Sequence, residues 1–221
     1  DLFGFGRSDK PVDDAVYTFE FHRGAVAALI ETLDLRRITL VCQDWGGLIG
    51  LTLPMDMPER FDRLIVMNTG LGTGERPPGP GFDAWKAFNR AHPDMDIAVL
   101  MRRAEPGLSD AEAAAYAAPF PDMRHKAGVR RFPELVPYTP DEPISHISRR
   151  ARGFWRCEWQ GRSFMAIGMK DFVIPAAAMH ALRAQIRGCP EPLEIAEGGH
   201  FVQEHGEEIA RAALAHFAGA R

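Results

Sequence analysis

Apolar residues recur at Phe21, Val26, Ala27, Ile30 and Leu33 with near-helical spacing, which predicts a helix over 17–35 with Thr18 as its cap before Phe19. Ile38-Thr-Leu-Val-Cys42 follows, a continuous β-branched run too short for a helix. Such a run fits a strand buried on both faces of a parallel sheet. Gln43-Asp-Trp-Gly-Gly47 then reads as a sharp turn, residues 48–57 as a helix ending near Pro58, and Arg63-Leu-Ile-Val-Met67 as a second buried strand. A strand, turn, helix and strand in that order predict parallel neighbours joined by a right-handed crossover, hence an α/β fold.

After Asn68 the texture changes. Residues 72–81 are rich in Gly and Pro, and the chain to about residue 160 is Arg-rich and helical in pattern, with no strand-like run. Helices are expected over 83–91 and 109–118, the second opened by the capping-box sequence Ser109-Asp-Ala-Glu112. Prolines 119, 121, 133, 137, 140 and 143 break the following stretch into short pieces. Strand-like runs resume at Ser163-Phe-Met-Ala-Ile167 and Leu193-Glu-Ile-Ala196, with helices expected over 176–186 and 204–217. The resulting division is a first core segment at 1–71, an inserted helical cap at 72–160, and a second core segment at 161–221. The chain opens on Asp1-Leu-Phe-Gly-Phe-Gly6, which reads as a loop leaving a strand that the sequence does not contain. Early strands are therefore expected to be missing, and a chain of this length is expected to be poorly active, unstable, or both.

A chain of 221 residues can bury one sizeable core, and its 46% apolar and 25% charged residues match an ordinary globular protein. The formal charge of -4 offers no basic surface, so nucleic acid is not an expected partner. Cys42, Cys157 and Cys189 lack metal-type or redox-type spacing, and their odd number suits a reducing compartment better than a disulfide framework. No apolar run approaches the roughly 20 residues needed to cross a bilayer, and no basic-then-apolar signal opens the chain. The expectation is a soluble, cytoplasmic monomer that does not engage membranes.

The passage from the strand at Ile38 through Gln43-Asp44-Trp45-Gly46-Gly47 into a helix has the shape of an α/β-hydrolase nucleophile elbow, with a carboxylate as nucleophile. Small residues are expected two before and two after the nucleophile; Gly46 fits, and Cys42 stands where Gly is usual. Asp44 by itself reads equally well as a helix cap. Asp171, after the third strand, and Gly198-Gly-His200, after the fourth, complete the chain order nucleophile, acid, histidine. Taken singly, Asp171 is also a natural turn or cap residue near Pro175, and His200 a surface-loop imidazole. Phe82, Phe88, Phe120, Phe154 and Phe172 could line an apolar pocket or fill plain core. Arg149-Arg-Ala-Arg152 is expected to form a solvated face, His205 to face solvent, and Trp155 and Trp159 to be structural, on opposite sides of a helical turn.

Five stretches carry a resemblance to the haloalkane dehalogenases of the α/β-hydrolase fold: Asp1-Leu-Phe-Gly-Phe-Gly-Arg-Ser-Asp-Lys-Pro11, Gln43-Asp-Trp-Gly-Gly47, Ala117-Ala-Pro-Phe-Pro-Asp122, Met165-Ala-Ile-Gly-Met-Lys-Asp171 and Gly199-His-Phe-Val-Gln-Glu204. The resemblance implies a mostly parallel sheet with an inserted cap, and a small haloalkane, water and halide ion as partners, with no metal or cofactor. It implies Asp44 as nucleophile, His200 as base and Asp171 as the acid, placed after the third strand rather than near Asn68. It also implies Trp45 as halide donor through its indole and as oxyanion donor through its backbone, with the second oxyanion donor expected before Asp1. For the second halide donor, one branch of the family has a Trp where this chain reads Arg103-Ala104-Glu105. Trp85 resembles the halide-binding Trp of another branch, and a cap-core tryptophan is its alternative. Two further readings stay open: an epoxide hydrolase of the same fold, with Tyr116 and Tyr138 as candidate proton donors in the cap, and a catalytically impaired or binding-only relative.

Overall fold

The computed structural model describes residues 1–219. The apolar runs pair as parallel strands in chain order: β1 (Ile38–Cys42), β2 (Phe61–Met67), β3 (Arg162–Gly168) and β4 (Leu193–Ile195). Register sets Cys42 opposite Val66, Met67 opposite Ala166 and Gly168 opposite Ile195. The carboxyl ends of all four strands therefore lie side by side, which is where open α/β sheets carry their sites. In β3 every residue after Arg162 is buried. β1 departs from the expectation of burial on both faces: Thr39 and Val41 are exposed, Val41 by 57%. The other face of β1 packs through Leu40 against Gly50 and through Cys42 in the core.

The helices are α1 (Phe19–Thr32), α2 (Trp45–Gly50), α3 (Pro80–Ala91), α4 (Ile97–Ala104), α5 (Asp110–Ala117), α6 (Ala127–Arg131), α7 (Pro143–Cys157), α8 (Ala176–Arg183) and α9 (Gly206–Gly219). Thr18 Oγ1 accepts the Phe21 N–H at 3.0 Å, as expected of a cap. The Ser109–Glu112 capping box is complete. The helix predicted over 48–57 is shorter and earlier: it ends at Gly50, and 3₁₀-type turns follow, with Thr52 N–H and Thr52 Oγ1 both donating to the Ile49 carbonyl. Pro54, which has no N–H to donate, stands in the way of a longer α-helical ladder.

By compactness the chain divides into one unit of Asp1–Ala25 with Gly79–Val136 and another of Val26–Pro78 with the residues from Pro137 on, the limit falling inside α1. The first unit is held by aromatic packing, with the Phe5 and Phe132 rings 4.7 Å apart, and by Arg130 paired with Asp14 at 2.7 Å. The second unit contains the sheet. Successive residues of β3 serve opposite faces, Met165 and Ile167 one apolar cluster and Phe164 and Ala166 another with Ile209, Ala213 and Phe217 of α9. The last two positions of the 161–221 segment lie outside the described residues.

Two expectations drawn from the 149–160 stretch are corrected. Trp155 and Trp159 do not lie on opposite sides of a turn; their ring centroids are 4.8 Å apart and both are buried in the cluster that includes Leu64, Met165 and Met179. Side chains four apart share a helix face, and here the second Trp lies just past the end of α7. Each indole N–H is satisfied, Trp155 Nε1 by the Leu51 carbonyl at 2.7 Å and Trp159 Nε1 by Ser163 Oγ at 3.0 Å. Nor is the arginine cluster simply solvated: Arg149 donates to the Thr73 and Pro140 carbonyls, and Arg152 pairs with Glu75, so the helix ties down the Gly/Pro-rich segment after β2. Trp155 fills the core beneath the sheet, so Trp155→Ala should lower unfolding stability by about 3–5 kcal/mol. Denaturant unfolding checks this, and a midpoint matching the unaltered chain would contradict it.

Candidate active site

Asp44 occupies the bend between β1 and α2 with φ 46° and ψ -123°, a conformation that L residues adopt only under constraint. Its side chain makes no cap hydrogen bond, which removes the helix-cap reading. Holding such a conformation costs about 1–3 kcal/mol, so neighbouring structure has to impose it. The end of β2 does so. Asp44 N–H donates to the Asn68 carbonyl at 2.9 Å, and Thr69 Oγ1 donates to the Asp44 carbonyl at 2.6 Å. The small residue the bend requires is Gly47 rather than Gly46: a Cβ on Gly47 would lie 2.0 Å from Thr69 Oγ1, whereas one on Gly46 would meet nothing closer than Cys42 Cβ at 3.8 Å.

Asp171, in the loop after β3, has a fully buried side chain whose two oxygens do different work. Oδ1 accepts the backbone N–H groups of Val173 at 2.7 Å and Ile174 at 2.9 Å, which is the turn role. Oδ2 accepts Asn68 Nδ2 at 3.0 Å and lies 2.9 Å from His200 Nδ1, so one oxygen serves the turn and the other meets the imidazole. His200 reaches this position because Gly168 has no side chain: a Cβ there would lie 2.4 Å from the Gly199 carbonyl oxygen. Gln43 Nε2 holds the His200 carbonyl at 2.9 Å. The other ring nitrogen, Nε2, faces Asp44 Oδ1 at 3.7 Å, close enough for charge interaction but longer than a hydrogen bond.

Burial acts most strongly on His200 and disfavours its charged form. The hydrogen bond to Asp171 and the charges of Asp44 and Asp171 together outweigh it, so its pKa stands above the ordinary 6.5. With Nδ1 committed to Asp171, Nε2 is the nitrogen that can exchange a proton near Asp44.

The predicted residues Asp44, Trp45, Asp171 and His200 thus fall in one compact unit, with Trp45 buried at the head of α2. Trp85 belongs to the other unit, on α3, where its ring stacks 6.2 Å from Phe88. Of the phenylalanines, Phe154 is plain core and Phe172 is 67% exposed, so neither fits the pocket-lining expectation; Phe82 is buried in the first unit. His205 does not face solvent: it is partly buried, and its Nε2 is buried without a hydrogen-bond partner. The three cysteines are free thiols, and burial pushes Cys42 up to about 12. Among the described residues no cluster of three or more His, Cys, Asp or Glu side chains could hold a metal ion, and no helix is long and apolar enough to cross a membrane.

Residues 1–207 match the family model of the alpha/beta hydrolase fold. Haloalkane dehalogenase of Psychrobacter cryohalolentis is 40% identical over 96% of this chain and 70% of its own length, and that of Mycolicibacterium paratuberculosis 37% identical over 97% and 71%. The solved structure of the tetrameric haloalkane dehalogenase DpaA from Paraglaciecola agarilytica NO2 is 52% identical, superposes with a TM-score of 0.95, and covers all of this chain and 74% of that one. The chain belongs to the haloalkane dehalogenase family. It is a hydrolase of the α/β-hydrolase fold that acts on carbon–halogen bonds.

Asn68, Thr69 and Gln43 stand outside the predicted site residues of this dehalogenase, yet they bond to Asp171, Asp44 and His200. A signal was present: Asn68-Thr69 is a polar pair directly after a buried apolar strand, where parallel sheets place functional groups. A base must be neutral to act, so any ester hydrolysis that uses His200 as its base should rise with pH through a midpoint above 6.5. Asp171→Asn removes the carboxylate that supports the imidazolium, and the midpoint should move to lower pH as the rate falls. A pH–rate profile of alcohol formation checks both shifts, and an unmoved midpoint in the variant would be inconsistent with this coupling.

Proposed function

We propose that Asp44 is the nucleophile of carbon–halogen cleavage, with His200 as base and Asp171 as the base's partner. The observation that carries the reading is the placement of the Asp44 carboxylate on a constrained bend, facing the free nitrogen of an imidazole whose other nitrogen meets a buried Asp.

A halogen-bearing carbon has no carbonyl to add to, so displacement must be in line: an Asp44 oxygen bonds to carbon as the carbon–halogen bond breaks and halide leaves with the electron pair. The result is an alkyl ester on Asp44. His200 Nε2 then takes a proton from water as the water oxygen attacks the ester carbonyl, and Asp171 stabilises the imidazolium. Collapse of the tetrahedral intermediate expels the alkoxide, which takes the proton held by His200 and leaves as the alcohol, while the Asp44 carboxyl group releases its proton to solvent and is a carboxylate again. The balance is haloalkane and water in, with alcohol, halide and a proton out.

The Trp45 backbone N–H is proposed to stabilise the oxyanion, since the residue after the nucleophile occupies that position in this fold. The indoles of Trp45 and Trp85 are proposed as halide donors and 72–160 as the cap, all on family resemblance. We propose a monomer, and sedimentation decides between it and a tetramer like that of the Paraglaciecola relative. The relatives at 37% identity and above are named dehalogenases, which favours this chemistry over epoxide opening.

In His200→Phe, mass spectrometry after incubation with a bromoalkane should find the alkyl group on the peptide carrying Asp44, with one halide released per chain. Halide release with Asp44 unmodified, or diol formation from an epoxide without any dehalogenation, would defeat the assignment.

A further inference from the structure

We propose that Thr69 is a positioning residue for the second half of the reaction: its hydroxyl fixes and polarises the Asp44–Trp45 peptide, whose N–H steadies the charge that develops during ester hydrolysis. The proposal rests on the roles assigned above to Asp44 and Trp45.

One trans peptide unit links the two residues, with the Asp44 carbonyl on one side and the Trp45 N–H on the other. Fixing the direction of the carbonyl therefore fixes the direction of the N–H. That carbonyl accepts three donors: Gly47 N–H at 3.0 Å, Leu48 N–H at 3.2 Å and Thr69 Oγ1 at 2.6 Å. The first two come from α2 itself and move with it. Thr69 is the anchor that comes from outside the bend, at the end of the neighbouring strand, and it makes the shortest of the three bonds.

Its own position is rigid. Thr69 is 1% exposed, its backbone N–H meets Met179 Sδ at 3.1 Å, and its side chain fills the space that a Cβ on Gly47 would need. A hydroxyl donating to the carbonyl also draws charge along the peptide and strengthens the N–H as a donor, because hydrogen bonds in series polarise one another. The effect is unequal between the two chemical steps. In halide displacement the Asp44 carboxylate loses negative charge, so a stronger donor beside it gives no advantage. In hydrolysis the ester carbonyl oxygen gains charge as water adds, and a well-aimed donor lowers that barrier. The Thr69 hydroxyl exchanges no proton with substrate.

The test compares the unaltered chain with Thr69→Ala and Thr69→Ser under excess bromoalkane, using rapid acid quench and mass spectrometry to follow the fraction of Asp44 carrying alkyl. With the hydroxyl gone, hydrolysis should slow about tenfold while alkylation stays within about threefold, since one oxyanion donor is weakened rather than removed. Thr69→Ala should then hold more ester at steady state than the unaltered chain. Thr69→Ser keeps the hydroxyl and should restore the original fraction, which a purely packing role for the lost methyl would not do.

Equal ester fractions in all three chains overturn the proposal, as does an equal rise in both variants. A Thr69→Ala chain that fails to unfold cooperatively while Thr69→Ser succeeds overturns it too, since the hydroxyl would then serve the fold as a whole. Absence of any ester on Asp44 in the unaltered and His200→Phe chains would instead bring down the nucleophile assignment on which the proposal stands.

Discussion

The pairing of β1 with β2 is the constraint on which the site depends. It sets Cys42 opposite Val66 and so brings the residues just past each strand, 44 on one side and 68 and 69 on the other, into hydrogen-bond reach. An Asp at φ 46° would relax to an ordinary conformation in an isolated peptide. Two hydrogen bonds from the neighbouring strand end, and the fit of Thr69 over Gly47, keep it in place. The placement of the Asp44 side chain thus depends on sheet formation.

The same strand end governs the acid. Asn68 is fully buried and spans two neighbours: its Oδ1 accepts the Gly168 N–H at 2.7 Å while its Nδ2 reaches Asp171 Oδ2. A buried carboxylate is costly unless its lone pairs are met. Asp171 meets them with two backbone N–H groups, one amide and the imidazole, and this arrangement holds the histidine while leaving Nε2 free to face Asp44. Packing beneath the sheet supports these contacts, with Trp155, Trp159 and Met179 filling one face and α9 the other.

What the sequence by itself determined was local. The strand runs, the bend after β1 and the Thr18 and Ser109 caps follow from periodicities and propensities that act over a few neighbouring residues. The tertiary structure alone decided the rest: that Gly47 and not Gly46 is the position where a side chain cannot fit, that Asn68 meets Asp171 and Thr69 meets the Asp44 carbonyl, and that α7 contributes Trp155 to the sheet's core. The physical reason is separation along the chain. Thr69 meets Asp44 across 25 positions, His200 meets Asp171 across 29 and Asn68 meets Asp171 across 103, and contacts of that kind are specified by which strands pair, in which register, rather than by any pattern within a segment.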